Sequence, residues 1–443
     1  MKLLTHFVAG GLINDTCPFV KRMMHRYQMK SKVIWYFPVF LALVTPNLGL
    51  ALKETALGQL EVSASLSGTY DSRVFGVSSS AYNSSKTSVS PLIAPQELQS
   101  EDDFILRFTP ALHLSRKLRW FTISGSAGVQ IAQYIKNEDK SYVVPVTTLT
   151  IDFDESLKKR LSSNAKIRFS ATFDLGQHVG TSVIEQDLVS YSYFDLGLNM
   201  RYNHSPKFGI GAGTSYSLRD YQTGTVSERP YQDFSTLPLH ASAFYIYSEK
   251  LDFFTQYGFS RTKGKNSVGD DLIDSTSHSI SFGANGDFST KLSGNAQAGY
   301  TVVNFDNPNN PNQGNLTTGI GLNWKLNVKS SMAFNLNRSF SPSGQGFSMF
   351  STMSRLSLTH RLTQDLSGTA YLSYGIVDYT YANLPKISAR DTSSLNQFGM
   401  GFSLQKAISN HFNASGGYDY SQSDRDNDSF GRHVIHAEIV GRF

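Results

Sequence analysis

Gly209-Ile210-Gly211-Ala212-Gly213 carries the glycine spacing of a loop that cradles phosphate. Such a loop needs a strand before it and a helix after it. Here Ile210 and Ala212 continue an apolar alternation and no helical pattern follows, so the glycines read as strand residues that keep one face small. Asp424, Asp426 and Asp428 open like an EF-hand, but Ser429 stands where the turn glycine belongs and Ile435 where the closing carboxylate belongs. The 11 histidines, among them His113, His178, His240 and His360, show neither HExxH nor HxxEH spacing. Triads of Ser, His and Asp assemble in space, so spacing alone does not settle them. The sequence is read as having no catalytic residue, no metal site and no cofactor, and a hydrolase is the least favoured reading.

A second group of residues matters for charge rather than for reaction. Arg107, Arg168, Arg219, Lys325 and Arg355 share a parity with small polar neighbours, as do Asp174, Asp419 and Glu438. If those neighbours face a water-filled interior, the eight are candidate lumen-lining groups. Whether they pair across the lumen or line a mildly cationic channel is open at this level. A one-residue slip in register would move any of them to the other face.

These charges converge only if the chain alternates, and it does. Leu316, Thr318, Ile320, Leu322, Trp324 and Leu326 alternate with Thr317, Gly319, Gly321, Asn323, Lys325 and Asn327. Alternate side chains of a strand point to opposite faces. Eighteen such segments follow residue 60, the first near 60–76 and the last near 430–443. Outer-membrane barrels use even strand numbers in this range, with short turns below and long loops above. Short connections at 116–118, 204–206, 248–250, 290–291, 363–365 and 407–409 alternate with long ones at 77–101, 221–234, 263–273, 306–314, 381–391 and 423–429. A weak repeat marks the short ones, as in Ser-Glu-Lys-Leu251, Ser-Thr-Lys-Leu292 and Thr-Gln-Asp-Leu366. No long segment is left over to act as a plug.

The expected fold is therefore all-β: a single transmembrane antiparallel up-and-down β-barrel of about 18 strands over residues 52–443, preceded by a signal peptide. Residues 29–51 carry Lys30 and Lys32, then an apolar run from Val33 to Val44, then small residues ending at Ala51. That run is too short for a helix that must span ~30 Å with about 20 residues, and the order of regions is that of a signal peptide. Residues 1–28 are either a start-site overcall or an extended n-region. The single cysteine, Cys17, lies upstream of it.

Composition agrees. Only 17% of the 443 residues are charged, while Phe and Tyr number 30 and 22. Of 40 Lys and Arg, six lie in residues 1–51, and of 35 acids one does, so 34 of each remain beyond. A neutral chain without a basic run offers nucleic acid no grip, and no nucleic-acid partner is expected.

The C-terminus, where Phe443, Ile439, Ala437 and Ile435 alternate with polar residues, resembles the β-signal by which the barrel-assembly machinery recognises its clients. Together with the first strand, Leu60-Glu-Val-Ser-Ala-Ser-Leu-Ser-Gly-Thr-Tyr70-Asp71, and Asp102-Asp103-Phe104-Ile105-Leu106-Arg107-Phe108-Thr109-Pro110, the chain resembles the β-barrel porin type 2 family. That resemblance implies an outer-membrane barrel in contact with lipid and lipopolysaccharide, and in several members a link to exopolysaccharide gene clusters. The function expected is a passive channel or export pore for small polar solutes or saccharides. The alternative is a surface binding or structural protein that uses the barrel as an anchor.

Overall fold

The computed structural model describes residues 53–55, 58–79, 82–83, 98–119, 121–153, 166–182, 187–221, 231–265, 274–308, 312–342, 347–381, 394–425 and 428–443. The expected leader, residues 1–51 with its two parts, lies outside them. The strands are β1 (Lys53–Thr55), β2 (Gly58–Asp71), β3 (Asp103–Lys117), β4 (Phe121–Tyr134), β5 (Tyr142–Phe153) and β6 (Lys166–Ser182). They continue as β7 (Asp187–Asn203), β8 (Phe208–Tyr221), β9 (Asp233–Ser248), β10 (Leu251–Lys265), β11 (Ser275–Asp287) and β12 (Leu292–Phe305). The last are β13 (Gln313–Lys325), β14 (Ser330–Pro342), β15 (Phe347–Arg361), β16 (Leu366–Tyr381), β17 (Ser394–Ala407), β18 (Phe412–Arg425) and β19 (Asp428–Arg442).

Strands β2 to β19 each pair antiparallel with the next, and β19 returns to β2, so 18 strands close into one barrel. Closure runs from Val434↔Asp71 to Arg442↔Ser63. Phe443 then adds two more bonds, its N–H donating to Val62 O and its carbonyl accepting from Val62 N, each at 2.8 Å. The short β1 lies along the start of β2, below this point.

Ser, Thr or Asn caps the turns at the end that holds the C-terminus. Ser205, Ser289, Asn327 and Ser409 each accept two backbone N–H groups two and three residues ahead. Thr363 accepts one, from Leu366. The weak sequence repeat is thus partly a turn-capping signal. By the rule for outer-membrane barrels this end faces the periplasm.

On most strands one parity carries the large exposed apolar groups, such as Leu112, Phe208, Ile210, Phe282, Leu316 and Ile435. These belong to the convex, lipid-facing side. The other parity converges, because its side chains reach partners several strands away, as Arg201 on β7 reaches Asp252 on β10. Ile435, Ala437 and Ile439 pair with Tyr70, Gly68 and Leu66 on the convex side.

Three segments depart from a plain cylinder, all at the mouth. The expected first strand stops at Asp71 rather than near residue 76. Beyond it Val74, Phe75 and Val77 turn inward and pack with Leu98 on the inner residues Ile105, Tyr134 and Tyr142. Phe75 is held at φ 58°, a left-handed conformation that only surrounding packing sustains for such a residue. The interior at the mouth is thus narrowed by a short loop. The loop is tied down by Asp103, 0% exposed, which accepts the N–H groups of Phe104, Ile135, Lys136 and Asn137 and the Asn137 amide. Asn137 Oδ1 in turn accepts from the backbone of Gln99 and Ser100. At the loop surface Lys136 bonds Asp102 at 2.7 Å and holds its carboxyl below the usual range.

The other two segments are hairpins. Pairing of β5 with β6 ends at Thr148↔Gly176, although both strands run on toward the mouth. Above that point Val179 and Leu188, which have convex parity, pack on the inner residues Tyr142, Val144 and Val146. Pairing of β13 with β14 likewise ends at Thr318↔Arg338. There Phe340 and Phe350, again of convex parity, pack on the inner residues Val303 and Phe305. Faces that would meet lipid are folded over the lumen instead. The β18–β19 connection, expected as a long loop at 423–429, is a tight hairpin with Asp424↔Ser429 and Arg425↔Asp428 paired.

Two outcomes check this architecture. Deleting Phe443, or changing Ile439 to Asp, should lower the amount of heat-modifiable barrel in the outer membrane. The first removes two closing bonds. The second places charge on the lipid face, where Lys or Arg costs about 2–4 kcal/mol at mid-bilayer and Asp less. Wild-type levels for both would refute the closure. Asp103→Ala should strand the two buried donors of Asn137, its backbone N–H and its side-chain amide, at about 1–3 kcal/mol each. Protease should then cut within 72–102 while the barrel stays folded, and an unchanged digestion pattern would show that Asp103 is no anchor.

Candidate functional site in the barrel lumen

Alternation puts the lumen-lining residues on strands, and glycine decides how they lie. A Cβ at Gly211 would meet the Phe244 ring at 2.9 Å, one at Gly176 the Tyr193 hydroxyl at 2.6 Å, and one at Gly401 the Tyr371 ring at 2.7 Å. Each of these three glycines is a seat over which an aromatic from an adjacent strand lies against the wall. Within 209–213 it is Gly211 that follows this pattern, which assigns it a definite neighbour as well as a small face.

The eight lumen candidates occupy different surroundings. The Arg107 guanidinium on β3 lies near the Tyr142 hydroxyl on β5. Asp174 on β6 accepts from Thr150 Oγ1 at 2.8 Å and lies opposite Asp195 on β7. Asp195 is bound by Arg219 of β8 at 3.0 Å, with the guanidinium 5.7 Å from the Tyr191 ring and 5.6 Å from the Tyr193 ring. Arg355 on β15 sits 3.6 Å from the centroid of Tyr371 on β16. The Tyr371 hydroxyl donates to Asp419 on β18, and Asp419 also meets His436 Nδ1 on β19 at 3.3 Å. Arg355 and Asp419 are thus joined through an aromatic ring across four strands.

The remaining three stand apart. Glu438 lies opposite Ser67 and Ser415 on the inner face. Backbone register sets Arg168 opposite Arg201. Lys325 is at the periplasmic rim, beside an opening of about 530 Å³ that Lys329 and Arg361 also line.

Among the inner charges, Arg201, Asp252 and Asp71 escaped the sequence reading. Arg201 bonds Asp252 at 2.7 Å while lying 4.2 Å from the Phe244 ring. It shares strand and parity with Asp195, six residues apart, which was the available signal. Arg432 makes a two-pronged bond to Asp71, at 2.9 and 2.6 Å, across the closing seam. Closure brings residues 361 positions apart together, and no local pattern announces that pair.

The chemistry of these groups is electrostatic. Two Ser–His contacts occur, Ser63–His113 at 2.7 Å and Ser330–His360 at 2.8 Å. Among the described residues neither imidazole has a carboxylate partner, and His436 with Asp419 has no serine. Asp424 accepts from Gln422 and Ser429 within its hairpin, and Asp426 lies outside the described residues.

Solved structures similar to this chain include two of Pseudomonas aeruginosa proteins. OccK5 (OpdH) is 8% identical over 87% of this chain and 98% of its own, with a TM-score of 0.44. OccK11 (OpdR) is 9% identical over 87% and 96%, with a TM-score of 0.41. The outer-membrane channel DcaP of Acinetobacter baumannii is 12% identical over 89% and 100%, with a TM-score of 0.38. Among curated proteins none matches. Residues 96–443 match the family described as "Putative beta-barrel porin 2", and this outer-membrane barrel belongs to that family.

Proposed function

We propose that the barrel is a passive channel for small polar solutes, narrowed at its extracellular mouth by the β2–β3 loop and the two inward hairpins. The observation that carries this reading is the self-neutralised lumen. Arg201, Arg219 and Arg432 each hold a carboxylate, while Arg107 and Arg355 are engaged by tyrosines. Charges arranged in this way set local polarity without a net ring of one sign, which suits diffusion better than capture of an ion. Among the described residues no lumen group is organised for bond making, and membership of a porin family favours a channel over an enzyme. Residues 29–51 serve as the cleaved leader. The C-terminal strand is the segment read by the assembly machinery, and the convex face meets lipid and lipopolysaccharide.

Purified protein in a planar bilayer should conduct with weak ion selectivity. Arg355→Glu should shift selectivity toward cations, because a lumen charge acts on ions within a Debye length of about 8–10 Å. Folding should persist, since lumen substitutions tune selectivity and lipid-face ones destabilise. Liposome swelling should be faster with neutral sugars than with charged ones of equal size. Folded protein that neither conducts nor swells would instead support the anchor reading.

A further inference from the structure

The ionic and neutral groups of the lumen occupy different arcs of the wall. Asp71, Asp174, Asp195, Arg219, Arg355 and Asp419 lie on strands β2 to β8 and β15 to β19. On β11 the inner positions read Ser275, Ser277, Ser279 and Ser281, paired with Phe305, Val303, Thr301 and Gly299 of β12. Above Asp252, the inner residues of β10 are Phe254, Gln256, Gly258, Ser260, Thr262 and Gly264. No ionisable side chain points inward from β10 to β12 between Asp252 and the mouth among the described residues.

These strands line a cleft of about 310 Å³ beneath the inward β14–β15 hairpin, with Phe340 and Pro342 at its edge. Its one charged neighbour, Arg338, is already engaged. The guanidinium bonds Leu316 O at 3.1 Å, Asn315 Oδ1 at 3.2 Å and Asp378 at 3.5 Å, and also the Thr352 hydroxyl. Of the neutral lining groups, Gln256 accepts from Ser242, and Thr236–Thr262, Thr301–Thr317 and Asn337–Ser339 bond one another, while others are not engaged. Ser260, Ser277, Ser279, Ser281 and Gln297 make no side-chain hydrogen bond among the described residues. Ser275 is 2% exposed and lines the cleft, and its hydroxyl is likewise without a partner among those residues.

We propose that this arc is a saturable binding site for a neutral oligosaccharide. A serine hydroxyl or a glutamine amide both donates and accepts, and so does every sugar hydroxyl. Strands about 4.8 Å apart, with inner residues about 6.7 Å apart along each, set these groups on a grid that a chain of pyranose hydroxyls can follow. Phe340 and Pro342 offer apolar surface to the C–H face of a ring. A carboxylate-bearing sugar finds no free cation here, so its desolvation goes uncompensated. The proposal rests on the channel reading for its place on the solute path, while binding itself is measured without transport.

The test is calorimetric titration of the full-length, detergent-solubilised barrel with maltohexaose and, separately, with a hexagalacturonate of equal length, alongside bilayer conductance. Saturable heat is expected with maltohexaose, and at least ten-fold weaker binding with the hexagalacturonate. Ser279→Asp should weaken maltohexaose at least ten-fold, and Gln297→Leu several-fold. Ser331→Asp, inward on β14 but outside the cleft, should leave binding unchanged. Retention of heat-modifiable mobility on gels identifies variants that remain folded. The proposal is overturned if maltohexaose does not bind, if the uronate binds as well or better, or if folded Ser279→Asp binds like wild type. Conductance without binding removes the site and leaves the channel, whereas binding without conductance keeps the site and removes the channel.

Discussion

Everything in this molecule follows from the demand that no backbone group be left open to hydrocarbon. An unsatisfied N–H or C=O in the bilayer costs several kcal/mol, and a closed ladder is how a β-chain avoids that cost. The return of β19 to β2 meets the demand, down to the two bonds of Phe443 with Val62. The same demand explains where the ladder is allowed to fail. Both interruptions, above Thr148↔Gly176 and above Thr318↔Arg338, lie toward the mouth. At the second, the Arg338 guanidinium takes up the Leu316 carbonyl.

Once the wall is closed, the inner face is crowded and its polar groups must be reconciled with one another. Charges do so by pairing, as in Arg201–Asp252 and Arg432–Asp71. Aromatic rings do so by lying over glycine, as Tyr371 does over Gly401. The ring then orders the charges on either side of it, Arg355 above its face and Asp419 at its hydroxyl. Glycine placement, aromatic orientation and ion pairing are therefore one arrangement and not three.

The inward hairpins use the same alternation to a different end. Val179, Leu188, Phe340 and Phe350 have the parity of lipid-facing residues, and on a plain cylinder they would meet the bilayer. Folded over the mouth, they gain protein contacts on Val144 and Val303 and narrow the opening. The seams they leave are eight strands apart in a ring of 18, so the two constrictions close in from well-separated sides.

The sequence by itself determined the strands of the barrel, their number and the end that bears the short turns. These are local matters, because a period of two is written in consecutive residues and each turn signal lies within four. Only the tertiary structure decided who meets whom. Asp71 and Arg432, or Arg201 and Asp252, become neighbours through curvature and closure, which act between residues far apart in the chain. The inward course of Val74–Val77 and of the two hairpins was hidden for a related reason. Parity tells which side a residue occupies but not whether that side faces lipid or a neighbouring wall. That is settled by where the ladder between adjacent strands ends.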